Sequence, residues 1–403
     1  MWRRRLLVVA AILAVVFVPV PTPADVPTTL GDLSPSGADS ATGPQPTTAT
    51  DADSITWITT QGHWRGLGGG ELVAVDTATG ERLWTHDRYN HYYDVDPLNE
   101  SHLLVSAGGV YSGQWAIEID WRENRVVRRV QIPWDTHDVD ALPSGDWVVA
   151  DKDDSRVVEI NPGTGAVGWE YRFDAHYDRE QNGVAGDFTH LNDVDAIRNG
   201  SAYLLSPRNF DRVLVVNRST KETEWVLGGQ GDHATLERQH NPTLLTNRSA
   251  GGPRVLVADS ENDRVIEYHR TGGDWRATWT YAGNLSWPRD ADRLPNGNTL
   301  IVDSGGQRVL EVTPDGEIVW ERQRRLHPYD AERQSFGDEP GGPPLDSGLV
   351  APPGEANGGE SDSLALLAWV PPRPTLALLL LLGWIGVELR GVGRRLRRVV
   401  GRD

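Results

Sequence analysis

Residues 137–173 read "HDVDALPSGDWVVADKDDSRVVEINPGTGAVGWEYRF", and this stretch decides the fold. It opens on an acidic entry and turns at Pro143-Ser144-Gly145. Two short β-branched runs follow with a polar turn between them. A Gly-rich turn then leads into a last run carrying Trp169. Short runs bounded by Gly, Pro, Asn and Asp are strands joined by hairpin turns. The same order recurs in "HLNDVDAIRNGSAYLLSPRNFDRVLVVNRSTKETEWVL" (190–227) and "PRDADRLPNGNTLIVDSGGQRVLEVTPDGEIVWE" (288–321). Diverged copies begin at "ELVAVDTATGERLWTH" (71–86), "HYYDVDPLNESHLLVSA" (91–107) and "QHNPTLL" (239–245). The last of these continues into "RVLVADSENDRVIEYHRTGGDWRATWTY" (254–281).

Most entries are spaced by roughly 40–50 residues, the length of a four-stranded unit in a repeat protein. One such sheet cannot bury both of its faces, so the units must pack around an axis. The expectation is an all-β chain, a six-bladed β-propeller over residues 54–330, whose first blade takes one strand from the far end of the domain. Trp84, Trp169, Trp225, Trp279 and Trp320 recur near the ends of five units. An indole at a fixed place in each sheet suits packing between neighbouring blades. The domain shows no sustained helical periodicity.

The chain has 57 acidic and 39 basic residues among 403, and only Lys152 and Lys221 are lysines. The net charge of −18 would repel phosphate, which excludes nucleic acid as a partner. A surface so acidic and lysine-poor suits very high salt, as in a halophile. Without cysteine, disulfides, thiolate metal sites and cysteine nucleophiles are excluded.

Both ends look like membrane signals. Residues 1–24 start on Arg3, Arg4 and Arg5 and continue as an apolar run, a signal peptide or an uncleaved anchor. Residues 25–53 and 331–363 are rich in small, polar, Pro and acidic residues and read as disordered linkers. Residues 364–390 form a candidate transmembrane segment, and the arginine-rich tail 391–403 should stay cytoplasmic. The propeller would then lie on the extracellular side of the cell membrane. Asn-x-Ser sequons at Asn99, Asn199, Asn217, Asn247 and Asn284 fit an exported glycoprotein.

In a propeller, equivalent positions of different blades converge on one axial cavity. The entry positions hold His137, His190, His240 and Arg289, with His91 and Tyr93 in the second unit. Imidazoles and a guanidinium in an acidic protein point to a bound oxyanion. The aspartates of the same entries (138, 140, 193, 195, 290, 292) recur in nearly every unit. They are expected to accept backbone N–H groups at the blade turns. Two residues break the repeat. His240 lacks the Asp-x-Asp that follows the other entries, and Arg208 stands in an otherwise acidic or Gly-rich place. A neutral imidazole is a nucleophile without prior deprotonation. His240 could therefore take up an electrophilic group while His137, His190 and Arg208 stabilise the transferring oxygens. No residue is assigned to a metal and no cofactor is expected. A non-catalytic extracellular binding propeller and a metal-dependent lactonase-like hydrolase remain alternatives.

Taken together, "HDVDALPSGDWVV", "HLNDVDAI", "SPRNFDRVLVVNRSTKETEWVLGG" and "QHNPTLL" resemble the arylsulfotransferase family, over about residues 85–325. The resemblance implies transfer of a sulfuryl group from an aryl sulfate to a phenolic or other hydroxyl acceptor. The route would be ping-pong through a sulfohistidine, with both small molecules as the partners. It implies that His240 accepts the sulfuryl group. His190 and Asn192 would hold the sulfate and phenolic oxygens, Arg208 would bind sulfate, and His137 would be a further active-site histidine. Bacterial periplasmic members carry an extra N-terminal domain and a disulfide that this chain cannot form. The acceptor and the oligomeric state are thereby left open.

Overall fold

The structure is a computed structural model that describes residues 54–62, 69–109, 113–245, 251–338 and 340–346. Among these residues the chain forms twenty-four strands and no helix longer than one turn. The first three strands are β1 (Ile55–Gln61), β2 (Leu72–Asp76) and β3 (Arg82–His86). Four follow as β4 (His91–Pro97), β5 (His102–Gly109), β6 (Gly113–Asp120) and β7 (Arg125–Gln131). Next come β8 (Val139–Ala141), β9 (Trp147–Asp151), β10 (Arg156–Ile160) and β11 (Val167–Arg172). The fourth run is β12 (Leu191–Ala196), β13 (Ala202–Pro207), β14 (Arg212–Asn217) and β15 (Thr223–Gly228). The fifth is β16 (His240–Leu245), β17 (Arg254–Asp259), β18 (Arg264–Thr271) and β19 (Asp274–Tyr281). The last is β20 (Pro288–Arg293), β21 (Thr299–Asp303), β22 (Arg308–Val312) and β23 (Ile318–Gln323), with β24 (His327–Arg333) closing the series.

Strands β8 to β23 make four antiparallel four-stranded sheets, each in sequence order. The remaining eight share one sheet, in which β24 pairs with β1 and the single pair Gln61↔His91 joins two four-strand halves. One half is β24-β1-β2-β3. A strand from the far end of the domain thus completes the first sheet, as the sequence suggests. The expected boundary at 330 falls inside β24, which runs on to Arg333. Beyond it, residues 341–346 lie back on the sheets. Gly342 N donates to Arg293 O, and Leu345 N donates to Glu267.

The first strand of each four-strand group lies against its neighbour. The contacts run β24 to β4, β8 to β12, β12 to β16, β16 to β20 and β20 back to β24, with β5 touching β8. The arrangement is propeller-like. The apolar core follows it, in six clusters that each join two neighbouring groups, such as Leu204, Val213 and Trp225 with Val255 and Ile266. Burying one such side chain stabilises by about 1.5–3 kcal/mol.

The repeating tryptophans sit in these seams. The Trp84 Nε1–H donates to Asn124, Trp169 to Arg218 O, Trp279 to Pro314 O and Trp320 to Thr77 O. In each case the indole of an outermost strand reaches the last hairpin turn of the next group. Trp225 instead packs edge-on against Trp275 at 5.1 Å.

The entry aspartates differ from expectation in one respect. They accept backbone N–H groups, but across the seam rather than at a turn. Asp94 accepts from Val139 N (3.2 Å), Asp138 from Val194 N (2.5 Å), Asp290 from Ala331 N (3.4 Å) and Asp330 from Val95 N (2.8 Å). Each carboxylate holds the inner strand of the following group, so the repeat of the acid is a repeat of the joint. In the fifth group Pro242 stands where the donor would be, and proline has no N–H to give.

The calls on residues 1–24, 25–53, 364–390 and 391–403 lie outside the described residues, as does the sequon at Asn247. No helix among the described residues is long and apolar enough to cross a membrane. At two of the other sequons the asparagine serves its own turn: Asn99 Oδ1 accepts Ser101 N, and Asn217 Oδ1 accepts Ser219 N.

Candidate active site

The inner strands deliver their first residues to one end of the axis. His240 opens β16 and is fully buried. His137 lies two residues before β8, and His190 immediately precedes β12. His190 has φ +45°, a left-handed backbone that costs a non-glycine residue of order 1–3 kcal/mol. Arg208 belongs not to a strand but to the single 3-10 turn Arg208–Phe210 after β13. Its own N–H donates to His190 O, which places its side chain beside that histidine. Arg289 lies within β20, buried over the faces of Trp287 (3.7 Å) and Tyr329 (5.0 Å). Such stacking holds a guanidinium without neutralising it.

The contacts join these residues into one cluster. The Arg289 guanidinium donates to His240 Nε2 at 2.6 Å, and Arg208 donates to His190 Nε2 at 2.8 Å. The His137 ring meets His190 edge-on at 5.5 Å and stacks on Tyr93 at 4.6 Å. Tyr329 packs edge-on to both His137 (5.4 Å) and His240 (6.2 Å). His91 lies beside Tyr93, 5.7 Å between ring centres.

The hydrogen bonds assign the tautomers. The Ser260 hydroxyl donates to Pro288 O (2.7 Å), so it accepts from His240 Nδ1–H (2.7 Å). The proton of His240 therefore sits on Nδ1, and Nε2 keeps its lone pair. His190 repeats the scheme, with Nδ1–H on the Asp187 carboxylate at 2.5 Å. The Tyr329 hydroxyl donates to His137 Nδ1 (2.9 Å), while His137 Nε2 faces Asp135 at 3.5 Å. Asp135 also accepts from Tyr93 and pairs with Lys152.

Burial fixes the charge states. The imidazoles of His240 and His190 are held well below the usual histidine range, by burial first. For His240 the charges of Arg289 and Arg208 add to that, and for His190 the charge of Arg208 does. His137 falls to about 4, through burial outweighing the hydrogen bond to Asp135. All three are neutral at pH 7. Burial would raise the Asp187 carboxyl, but its bond to His190 holds it at about 2. Burial and the charge of Arg289 lower Arg208 to about 10, so both arginines stay cationic. The Nε of Arg208 and the Nε of Arg289 are buried and find no acceptor. Two cations with buried, unmet donors beside a neutral nucleophile make a site for a tetrahedral oxyanion.

His240, His190, His137, Arg208 and Arg289 thus lie together. Asn192 lies on β12. It is fully buried, and its Nδ2–H donates to Gln239 O (2.9 Å), holding the backbone just before His240. His240 is not the bare imidazole that its sequence context suggests, since both of its nitrogens have partners. Sequence reasoning missed Ser260, Asp187, Asp135, Lys152 and Tyr329. Ser260 matches Ser304 in the "VDSGG" of the next unit, so nothing marks it out in the repeat, and Tyr329 lies on the closing strand, beyond the last full copy.

Comparison with known proteins follows this geometry. The family model described as Arylsulfotransferase (ASST) matches residues 46–325. No curated protein matches the chain. Among solved structures, a protein of unknown function from Bacteroides caccae is 15% identical, with a TM-score of 0.46 over 66% of this chain and 92% of that one. A periplasmic gluconolactonase of Pseudomonas aeruginosa is 13% identical, with a TM-score of 0.45 over 70% and 85%. Virginiamycin B lyase of Staphylococcus aureus is 8% identical, with a TM-score of 0.42 over 70% and 88%. With the family model spanning more than half of its length, the chain belongs to the arylsulfotransferase family.

Proposed function

We propose that this chain is a six-bladed propeller enzyme that moves a sulfuryl group from an aryl sulfate to a phenolic or other hydroxyl acceptor, by a ping-pong route through a sulfohistidine at His240. The family supports a transferase acting on small molecules. The observation that carries the finer reading is the lone pair of His240 Nε2 beside two guanidinium groups with unmet Nε donors. In the first half-reaction the sulfate of the donor displaces the Arg289–His240 hydrogen bond, and its oxygens pair with Arg289 and Arg208. Nε2 attacks sulfur, and the bond from sulfur to the aryl oxygen breaks. The phenolate leaves with the electron pair and takes its proton from water. The sulfated ring is stabilised through Nδ1–H on Ser260. In the second half-reaction His190 Nε2 takes the proton of the acceptor hydroxyl, and Asp187 steadies the resulting imidazolium. The acceptor oxygen attacks sulfur, and the N–S bond breaks back to His240. Asn192 holds the backbone before the nucleophile rather than the sulfate, and His137 shapes the wall that faces the reacting group.

The basic, apolar ends of the sequence support a membrane-tethered enzyme whose propeller faces outward, and the lysine-poor acidic surface supports a high-salt setting. The test is incubation of the full chain with p-nitrophenyl sulfate and a phenol in concentrated salt. The expected result is phenol-dependent release of nitrophenol, an acid-labile +80 Da adduct on His240 (about the mass of a sulfuryl group), and loss of both in His240→Ala. Release indifferent to the phenol would indicate a hydrolase, and release that survives His240→Ala would remove the proposed nucleophile.

A further inference from the structure

Next to the cationic cluster lies a cavity of opposite character, lined by residues adjoining His240, Arg289 and His137 in sequence. It measures about 20 Å³, room for one water-sized species. Nine carboxyl groups line it, with Asn241, Pro242 and Thr243 as the only other lining residues and no basic side chain among them. Four of the acids have the joint-holding duty already described, each accepting an N–H across a seam. Asp140, at the second position of its pair, likewise accepts Ala196 N at 2.7 Å. Glu332 does not fit this scheme. It is the one glutamate at the second position, where Asp96, Asp140, Asp195, Thr243 and Asp292 stand in the other groups. The residue matching Ala196 on the next inner strand is Pro97, which has no N–H to give it. Glu332 Oε2 is buried in the cavity wall with no hydrogen-bond donor, and the glutamate is only 3% exposed. Asn241 Oδ1, a neutral oxygen on the same wall, is likewise buried and unmet.

We infer that the axial cavity binds one hard divalent cation of the calcium class, held by Asp290, Asp292 and Glu332. One oxygen from each of these three lies within 4.8 Å of the others. Oxygens around calcium stand 2.3–2.6 Å from the ion, so opposite ligands are at most about 5 Å apart. Magnesium dehydrates reluctantly and keeps several waters, for which a cavity of about 20 Å³ has no room. Glu332 Oε2, with no donor and no basic side chain on the cavity wall, gains a partner when an ion binds. The ion would act as a clasp. Asp290 and Asp292 belong to β20, while Glu332 belongs to β24, the strand that completes the first sheet. It would therefore tie the last full sheet to the closing strand. This departs from the expectation, drawn from sequence, that no metal is bound, and it is independent of the sulfuryl-transfer proposal.

The test uses the full chain, dialysed against chelator in concentrated monovalent salt and then gel-filtered with calcium or magnesium. Expected are one calcium retained per chain by elemental analysis and a Tm several degrees higher with calcium than with magnesium. Glu332→Gln should remain folded in chelator and lose the calcium response, with affinity at least tenfold weaker. If that variant fails to fold, Asp292→Asn is read in the same way. Absence of retained calcium together with an unmoved Tm overturns the inference, as does a response unchanged by either variant. Loss of the response in Asp193→Asn but not in Glu332→Gln also refutes it, because the ion would then belong to the facing group Asp138, Asp193 and Asp195.

Discussion

Replacing Ser260 with alanine tests whether one hydroxyl sets the state of the nucleophile. Ser260 accepts the Nδ1 proton of His240 at 2.7 Å and passes its own proton to Pro288 O at 2.7 Å. Both bonds are buried. In the resting enzyme they are neutral and contribute about 1 kcal/mol each. After transfer the ring is cationic, and the Nδ1–H bond becomes charge-assisted, contributing about 1.5–3 kcal/mol. Only the gain over the resting bond, about 0.5–2 kcal/mol, acts on the barrier, so Ser260→Ala should lower kcat for phenol-dependent nitrophenol release roughly 2- to 30-fold, at about 1.4 kcal/mol per tenfold. KM for the donor should change little, because Arg208 and Arg289 remain. Leaving the Nδ1–H and Pro288 O unmet should also lower stability by about 1–3 kcal/mol for each buried group. The assay is steady-state release at several phenol concentrations, alongside thermal unfolding, with Ser260→Thr as the conservative rescue. A Ser260→Ala enzyme that keeps kcat within twofold of the parent, under conditions where His240→Ala is inactive, would refute the assignment of the tautomer to this hydroxyl.

Three other outcomes are expected. Asp187→Asn removes the carboxylate behind His190 and should slow transfer to the acceptor about 10²-fold while sparing the initial burst of nitrophenol, as rapid-mixing kinetics would show. The folded-state value of about 4 for His137, against about 6.5 when unfolded, means that the unfolded chain binds this proton first as pH falls. Stability from this residue is therefore fully present above pH 6.5 and is lost between about 6.5 and 4, by about 3 kcal/mol. A His137→Gln variant followed by denaturant unfolding across that window should show a shallower fall. Trp279→Phe keeps the ring in its seam but removes the bond to Pro314 O, and should cost about 1 kcal/mol in the same measurement.

The strands, their grouping in fours and the repeating role of the indoles could be read from sequence because they rest on local chemistry. β-branched runs alternate with turn residues, and each copy reinforces the others. The loan of β24 to the first sheet was legible for the same reason, since the first copy lacks a strand. The cationic residues were legible as departures from a repeat. A position that six copies treat alike is there for the fold, and the copy that differs is free for chemistry. His240 and Arg208 stood out in this way.

What the sequence could not supply is contact between groups distant in the chain. That Ser260 fixes the proton of His240, or that Tyr329, 192 residues away, bonds His137, depends on how the inner strands converge. The same holds for the aspartates. Sequence showed that they recur and that they suit backbone N–H groups. Only the closed arrangement of sheets shows that the N–H belongs to the next group, and that Glu332 meets Pro97 there, which has none. Local pattern determined which elements form. Convergence of those elements on a common axis decided which side chains act on one another, because the strength of each interaction depends on separations of a few ångströms that the order of residues does not encode.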